Sequence, residues 1–188
     1  EADQFEYEKS SNILNASGNV KVTNNIKDYK ISSEKITYFK DTDNIITKGA
    51  TNFLIKKKYD IKSKDIFYSA NDELVSSDFK TKITDDNSNF YKLDKFNYKI
   101  DEEILKGENI VIVTNYNMPK SDKFYLSSAI INFKKEEIIA KDTEVRIHKN
   151  IFDNNENDPR LKGVSSYSDR NITIVNKGIF TSCKKRDD

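Results

Sequence analysis

The sequence predicts an all-β chain of stacked repeats, each about 30 residues long, and three observations carry that expectation. Apolar and polar residues alternate with a period of two over most of the chain. One layout of aromatic, turn and small residues recurs four times, with a fifth, degenerate copy. No segment carries a sustained apolar stripe at i, i+3, i+4 and i+7, which a surface helix would need.

The first unit shows the alternation most plainly. Leu14, Ala16, Gly18, Val20 and Val22 share one face, while Asn15, Ser17, Asn19 and Lys21 share the other. Tyr29, Ile31 and Ser33 then alternate with Lys30 and Ser32, and the unit closes on Ile36-Thr37-Tyr38. Such faces belong to half-buried strands with one wet side. The second unit repeats the layout with Ile45-Ile46, Gly49, Phe53, Tyr59-Asp60-Ile61 and Ile66-Phe67-Tyr68. The third gives Leu74-Val75, Phe79, Ile83, Leu93 and Phe96-Asn97-Tyr98. The fourth gives Ile104-Leu105, Gly107, Ile110, Leu126 and Ile130-Ile131-Asn132-Phe133, and the degenerate fifth runs from Ile138-Ile139-Ala140 through Ser165-Ser166. Asn- and Asp-rich turns separate the strands, among them Asn24-Asn25, Asp41 to Asn44 and Asp85-Asp86-Asn87. Pro119 and Pro159 fall in turns, as they must if strand interiors exclude proline.

The repeat interval is regular. Tyr7, Tyr38, Tyr68 and Tyr98 stand 31, 30 and 30 residues apart, and Phe133 follows 35 residues after Tyr98. Gly18, Gly49 and Gly107 occupy matching places, with Ser77 in the third unit. A dozen or so short strands in layers would bury one long apolar seam.

Composition narrows the function. The 188 residues include 32 Lys and Arg against 31 Asp and Glu, a formal net charge of +1 that argues against a dedicated nucleic-acid binder. Hydrophobic residues are 36% and charged residues 34%, against roughly 45–50% and about 25% in ordinary domains. A thick conventional core is not expected. Yet 11% aromatics and abundant Ile and Val exclude disorder. The longest aliphatic run, Ile110 to Val113, is far short of the roughly 20 residues a membrane-spanning helix takes. One His, one Cys and no cluster of either exclude a conventional zinc site. The lone Cys183 fits a reducing compartment, the commoner reading, and also an exported chain whose partner cysteine lies elsewhere.

Catalytic chemistry finds little support. Asp85-Asp86 and Asp101-Glu102-Glu103 sit at turn positions, His148 follows Val145-Arg146-Ile147 on the polar face, and no serine or cysteine nucleophile motif accompanies it. No glycine-rich phosphate loop is present, and Lys56-Lys57-Lys58 reads as a charged strand end. No enzyme and no cofactor are expected. The apolar face is more telling, with Phe53, Phe79, Phe96, Tyr38, Tyr68 and Tyr98 among smaller residues. A filled core and a groove admitting something long and apolar both satisfy that pattern.

The repeat resembles the OstA-like domain of the lipopolysaccharide-transport family. Leu14-Asn15-Ala16-Ser17-Gly18-Asn19-Val20, then Ile31-Ser32-Ser33 and Ile36-Thr37-Tyr38, carry the resemblance. Later units keep the layout but replace Gly-Asn-Val with Gly49-Ala50-Thr51, Ser77-Asp78-Phe79 and Gly107-Glu108-Asn109. The ending Lys177-Gly178-Ile179-Phe180-Thr181-Ser182-Cys183 is similar to the close of the N-terminal domain in the LptD branch of that family, rather than to the free-standing LptA-like bridge.

The resemblance implies a V-shaped β-jellyroll over residues 1–183, with 184–188 a charged end leading to an outer-membrane barrel. It implies residence on the periplasmic side of the outer membrane. Lipopolysaccharide would come from an LptA-like bridge by edge-strand pairing and pass to the barrel, which an LptE-like lipoprotein accompanies. Leu14, Val20, Val22, Ile31, Ile36, Phe53, Ile55, Ile61, Ile66, Phe79, Ile83, Leu93 and Phe96 are then the expected lining of the lipid groove. Cys183 would form a disulfide with a cysteine outside this chain. The competing readings are an LptA-like bridge, a β-solenoid or adhesin stalk with a filled core, and a polysaccharide-active enzyme, which would need paired inward carboxylates.

Overall fold

The computed structural model describes residues 1–152 and 156–184, so of the charged end segment expected at 184–188 only Lys184 falls within the described residues. Among the described residues sixteen strands follow one another. They are β1 (Gln4–Glu8), β2 (Ile13–Asn24), β3 (Tyr29–Phe39), β4 (Asn44–Ile55), β5 (Tyr59–Lys64), β6 (Phe67–Ser69), β7 (Leu74–Ser77) and β8 (Thr81–Thr84). Then come β9 (Phe90–Leu93), β10 (Lys95–Lys99), β11 (Ile104–Val113), β12 (Lys123–Asn132), β13 (Glu137–Arg146), β14 (Arg160–Ser168), β15 (Thr173–Asn176) and β16 (Ile179–Thr181). A 3-10 turn at Lys149–Phe152 is the one helical segment among the described residues. The chain is all-β.

Every pairing is antiparallel, and eight strands close on themselves in the order β4, β5, β8, β9, β11, β10, β7, β6 and back to β4. The closure arises because long strands bend and short ones break at the same level. In β2 the register shifts between Ser17 and Val20, and in β3 between Ser33 and Lys35. The next three crossings are interrupted between β5 and β6, between β7 and β8, and between β9 and β10. Each crossing thus contributes one half to a first leaf and the other half to a second.

Two rows of cross-strand partners define the leaves. The first runs Val22, Ile31, Phe53, Ile61, Ile83, Tyr91, Ile112, Phe124, Val145, Leu161 and Phe180. The second runs Tyr7, Leu14, Tyr38, Ile45, Tyr68, Val75, Tyr98, Leu105, Ile131 and Ile138. The 30-residue recurrence of tyrosine is therefore a register: Tyr38, Tyr68 and Tyr98 fall on one line across the leaf. In the fourth unit that line lands on Ile131, 33 residues after Tyr98, and not on Phe133.

The line where the leaves meet is built for close approach. Ala16, Ser33, Thr47, Thr51, Ser77, Thr81, Ala129, Ala140, Thr143 and Ser166 are all buried there. Hydroxyls satisfy one another in its interior: Ser33 and Thr51 lie 3.1 Å apart, Thr51 donates to Thr47 at 2.7 Å, and Thr143 and Ser166 lie 2.7 Å apart. Gly18 and Gly49 bend their strands at φ +75° and +86°, a region where a Cβ is penalised. Gly107, expected at the same place, is an ordinary strand residue between Phe96 and Ala129. Asn109 takes the left-handed position in that strand, at φ 50°. Gly107 is needed for space instead, because a Cβ there would stand 2.9 Å from Leu93 Cδ1.

Candidate functional site

The inner faces of the two leaves meet in aromatic contacts. From the first leaf Tyr29 and Phe53, and from the second Tyr68, form an edge-on trio with centroids 5.0–5.5 Å apart. Tyr59 meets Tyr98 at 5.5 Å, and Phe133 packs on Tyr59 at 5.0 Å and Tyr91 at 5.5 Å. Such ring pairs add about 0.5–1.5 kcal/mol each beyond the area they bury. The middle of the interior is filled.

Its two ends are not. Near the N-terminus a cavity of about 230 Å³ lies between Val20, Val22 and Tyr29 of one leaf and Leu14, Tyr38 and Ile45 of the other, with Phe5 at its margin. Beyond the last aromatic contacts a larger one, about 420 Å³, opens between Tyr91, Ile112 and Phe124 and the facing Ile131, Phe133 and Ile138. The smaller is mostly apolar with Asp43 among its lining residues, and the larger is mixed, with Asp85, Asp86 and Asn89 beside its apolar walls.

The side opposite the fold line is fastened by lysines from turns of the first leaf. Lys27 Nζ donates to the Ala70 carbonyl at 2.7 Å, Lys56 Nζ to the Ile100 carbonyl at 3.4 Å, and Lys58 Nζ pairs with Glu103 at 3.2 Å. Tyr59 donates its hydroxyl to the same carboxylate at 3.2 Å. These contacts span the filled middle, and the larger cavity lies beyond the last of them. Burial, reinforced by Glu103, holds the Tyr59 hydroxyl well above its ordinary range. Tyr91 is pushed up likewise by burial and by Asp85, whose carboxylate it meets at 2.9 Å.

Of the residues expected to line the interior, Val20, Ile31, Ile36, Phe53, Ile55, Ile61, Ile66, Ile83, Leu93 and Phe96 are buried, and Leu14 and Val22 are half-buried. Phe79 is a correction. It is 42% exposed, on the crossing between β7 and β8, with its ring 5.2 Å from Lys64 Nζ. Alternation placed it in phase with Ser77 and Thr81, both buried, but the strand breaks between them and the side chain leaves the interior. Tyr29, Tyr59 and Tyr91 are buried as well and lie outside the expected set, although each is in phase with a member of it, Ile31, Ile61 and Leu93. Tyr59-Asp60-Ile61 did carry the needed alternation.

Two further features were flagged by sequence. His148 shares a 2.9 Å contact between Nδ1 and Asp122 Oδ1, and its backbone N–H donates to the same oxygen at 2.8 Å, so the pair anchors the end of β13. Cys183 is exposed after β16, its carbonyl accepting from Arg160 at 2.9 Å. The outer face of the second leaf carries an apolar line that sequence reasoning did not separate from the core: Ile130, Ile139 and Ile174, all exposed and joined through Tyr167.

Comparison with known proteins finds no matching family model and no similar curated sequence. The chain is an all-β protein with a closed ring of eight antiparallel strands and further strands paired outside it.

Proposed function

We propose that this chain is a lipid-transfer domain of the OstA-like kind: a V-shaped β-jellyroll whose interior shields lipopolysaccharide acyl chains on their way to an outer-membrane barrel. One observation carries the reading. Two apolar rows face each other between the leaves, and cavities of about 230 and 420 Å³ lie between them on either side of a filled middle. Each methylene kept from water contributes about 0.8 kcal/mol, so a slot between the leaves suffices to carry acyl chains while glycan and phosphates stay in solvent. Passage through the middle requires the leaves to part at Phe53 and Tyr68. The Lys27, Lys56 and Lys58 contacts are the ones that must release.

The two ends of the strand order are β1 and β15, whose outer edges can pair with another chain's strand. In this reading β1 receives an LptA-like bridge, β15 and β16 face the barrel and its LptE-like lipoprotein, and Cys183 ties the domain to a cysteine of the barrel portion. The chemistry is carriage and not catalysis.

The filled middle favours a second reading, a structural stalk whose core never opens. Photocrosslinking separates the two. A photoreactive residue at Val22, Ile45 or Ile131 should form adducts with lipopolysaccharide, and one at Lys30 should not. Absence of adducts at all three inner positions would sink the transfer reading and leave the stalk.

A further inference from the structure

The outer face of the first leaf carries a row that works against its own stability. Lys62 on β5, Lys82 on β8 and Lys92 on β9 are direct cross-strand partners. Followed the other way, the row passes Asn52 and Ser32 to Lys21 on β2. Like charges placed directly opposite one another are destabilising. Lys62 meets Asp60 at 3.2 Å, whereas Lys21, Lys82 and Lys92 form no ion pair among the described residues.

The row is not on a flat surface. Lys21, Lys62 and Lys82 line a trough of about 800 Å³ where the leaf bends, together with Lys64 and Lys80, and Glu34 is the one acid in its walls. Between the cations stand uncharged side chains, among them Ser32, Asn52 and Ser63 with Val20 and Ala50. No aromatic ring lines the trough.

We propose that this trough binds an acidic polysaccharide laid across the strands. Neighbouring strands lie about 4.8 Å apart, so Lys62, Lys82 and Lys92 offer a cation at each step and the row from Lys21 to Lys92 spans about 24 Å. A linear polyanion relieves the repulsion among those lysines. Ser32 and Asn52 stand along the row between Lys21 and Lys62, where hydroxyls of the ligand can meet them. A single-stranded nucleic acid would look for a run of stacking platforms, and the one exposed ring nearby, Phe79, is held under Lys64 outside the trough's lining. The site lies outside the leaves and is independent of what the interior carries.

The test uses the full chain with a dextran sulfate oligosaccharide, a neutral dextran of equal length and a single-stranded oligonucleotide. Binding is followed by calorimetry. Dextran sulfate should bind, more weakly as salt rises, and neutral dextran should not. Lys62→Gln, Lys82→Gln and Lys92→Gln combined should weaken dextran sulfate at least tenfold. Without ligand the same triple variant should melt at the wild-type temperature or higher, because repulsion has been removed. Three results would each overturn the proposal: no binding by the wild type, equal loss from glutamines at Lys106, Lys134 and Lys135, or an oligonucleotide that binds as tightly as dextran sulfate.

Discussion

Lys58 Nζ stands 3.2 Å from Glu103 Oε2, joining a turn of the first leaf to a turn of the second across the open side of the molecule. Both side chains are largely shielded, and the Tyr59 hydroxyl shares the carboxylate at 3.2 Å. If the leaves part to admit an acyl chain, this contact is broken. Lys58→Ala should cost no more than about 1 kcal/mol of stability, the usual scale for a partly exposed pair. It should also speed entry of a fluorescent fatty-acyl probe. A denaturant midpoint and a stopped-flow on-rate check the two together, and an unchanged on-rate would show that the pair is no latch.

Thr47 replaces a missing strand partner. Its Oγ1 accepts from the buried Ile66 N–H at 2.8 Å, where the chain passes from β5 to β6. Thr47→Val keeps the shape and orphans that N–H, so stability should fall by about 1–3 kcal/mol. Thr47→Ser should restore most of it. Equilibrium urea unfolding of both variants measures the difference.

Buried tyrosines set the alkaline limit. Tyr59, Tyr68, Tyr91 and Tyr98 are all raised above their ordinary value, burial being the largest cause in each. A raised value in the folded state means the protein binds more protons folded than unfolded, and the stability this gives is complete below about pH 10. Above that it declines. Thermal scans should show melting temperature falling progressively above about pH 10, with tyrosinate absorbance of the buried set appearing together with unfolding.

Ile36 and Phe79 separate inside from outside. Ile36 is buried against the interior, and a glutamate there should cost more than about 4 kcal/mol as an unpaired buried charge. Phe79→Glu lies on an exposed crossing and should change stability by less than about 1 kcal/mol. Chemical denaturation of the two variants is the check, and equal losses would contradict the placement of Phe79.

Much of the fold is legible because alternation and spacing act through register. The row Tyr38, Ile45, Tyr68, Val75, Tyr98 is a 30-residue repeat seen edge on, and any sequence that keeps the interval keeps the line. What alternation cannot carry is a phase break. Phe79 is lost at one, since Ser77 and Thr81 keep the inward phase on both sides while the chain between them leaves the ladder and turns the ring outward. Gly107 was misplaced at another, because Asn109 adopts a positive φ that sequence reading assigns to glycine. The lysine contacts between leaves join residues 43 to 45 positions apart, through turns whose composition reads only as solvated loop.

The central claim, that acyl chains enter between the leaves, is tested most directly with a nitroxide-labelled acyl chain and methyl-labelled protein. Relaxation enhancement should broaden Val22, Leu14 and Ile45 at one mouth and Ile112, Ile131 and Ile138 at the other. The methyls of Ile130, Ile139 and Ile174, equally apolar but on the outer face, should stay sharp. Broadening confined to that outer line, with the interior methyls untouched, would contradict the account.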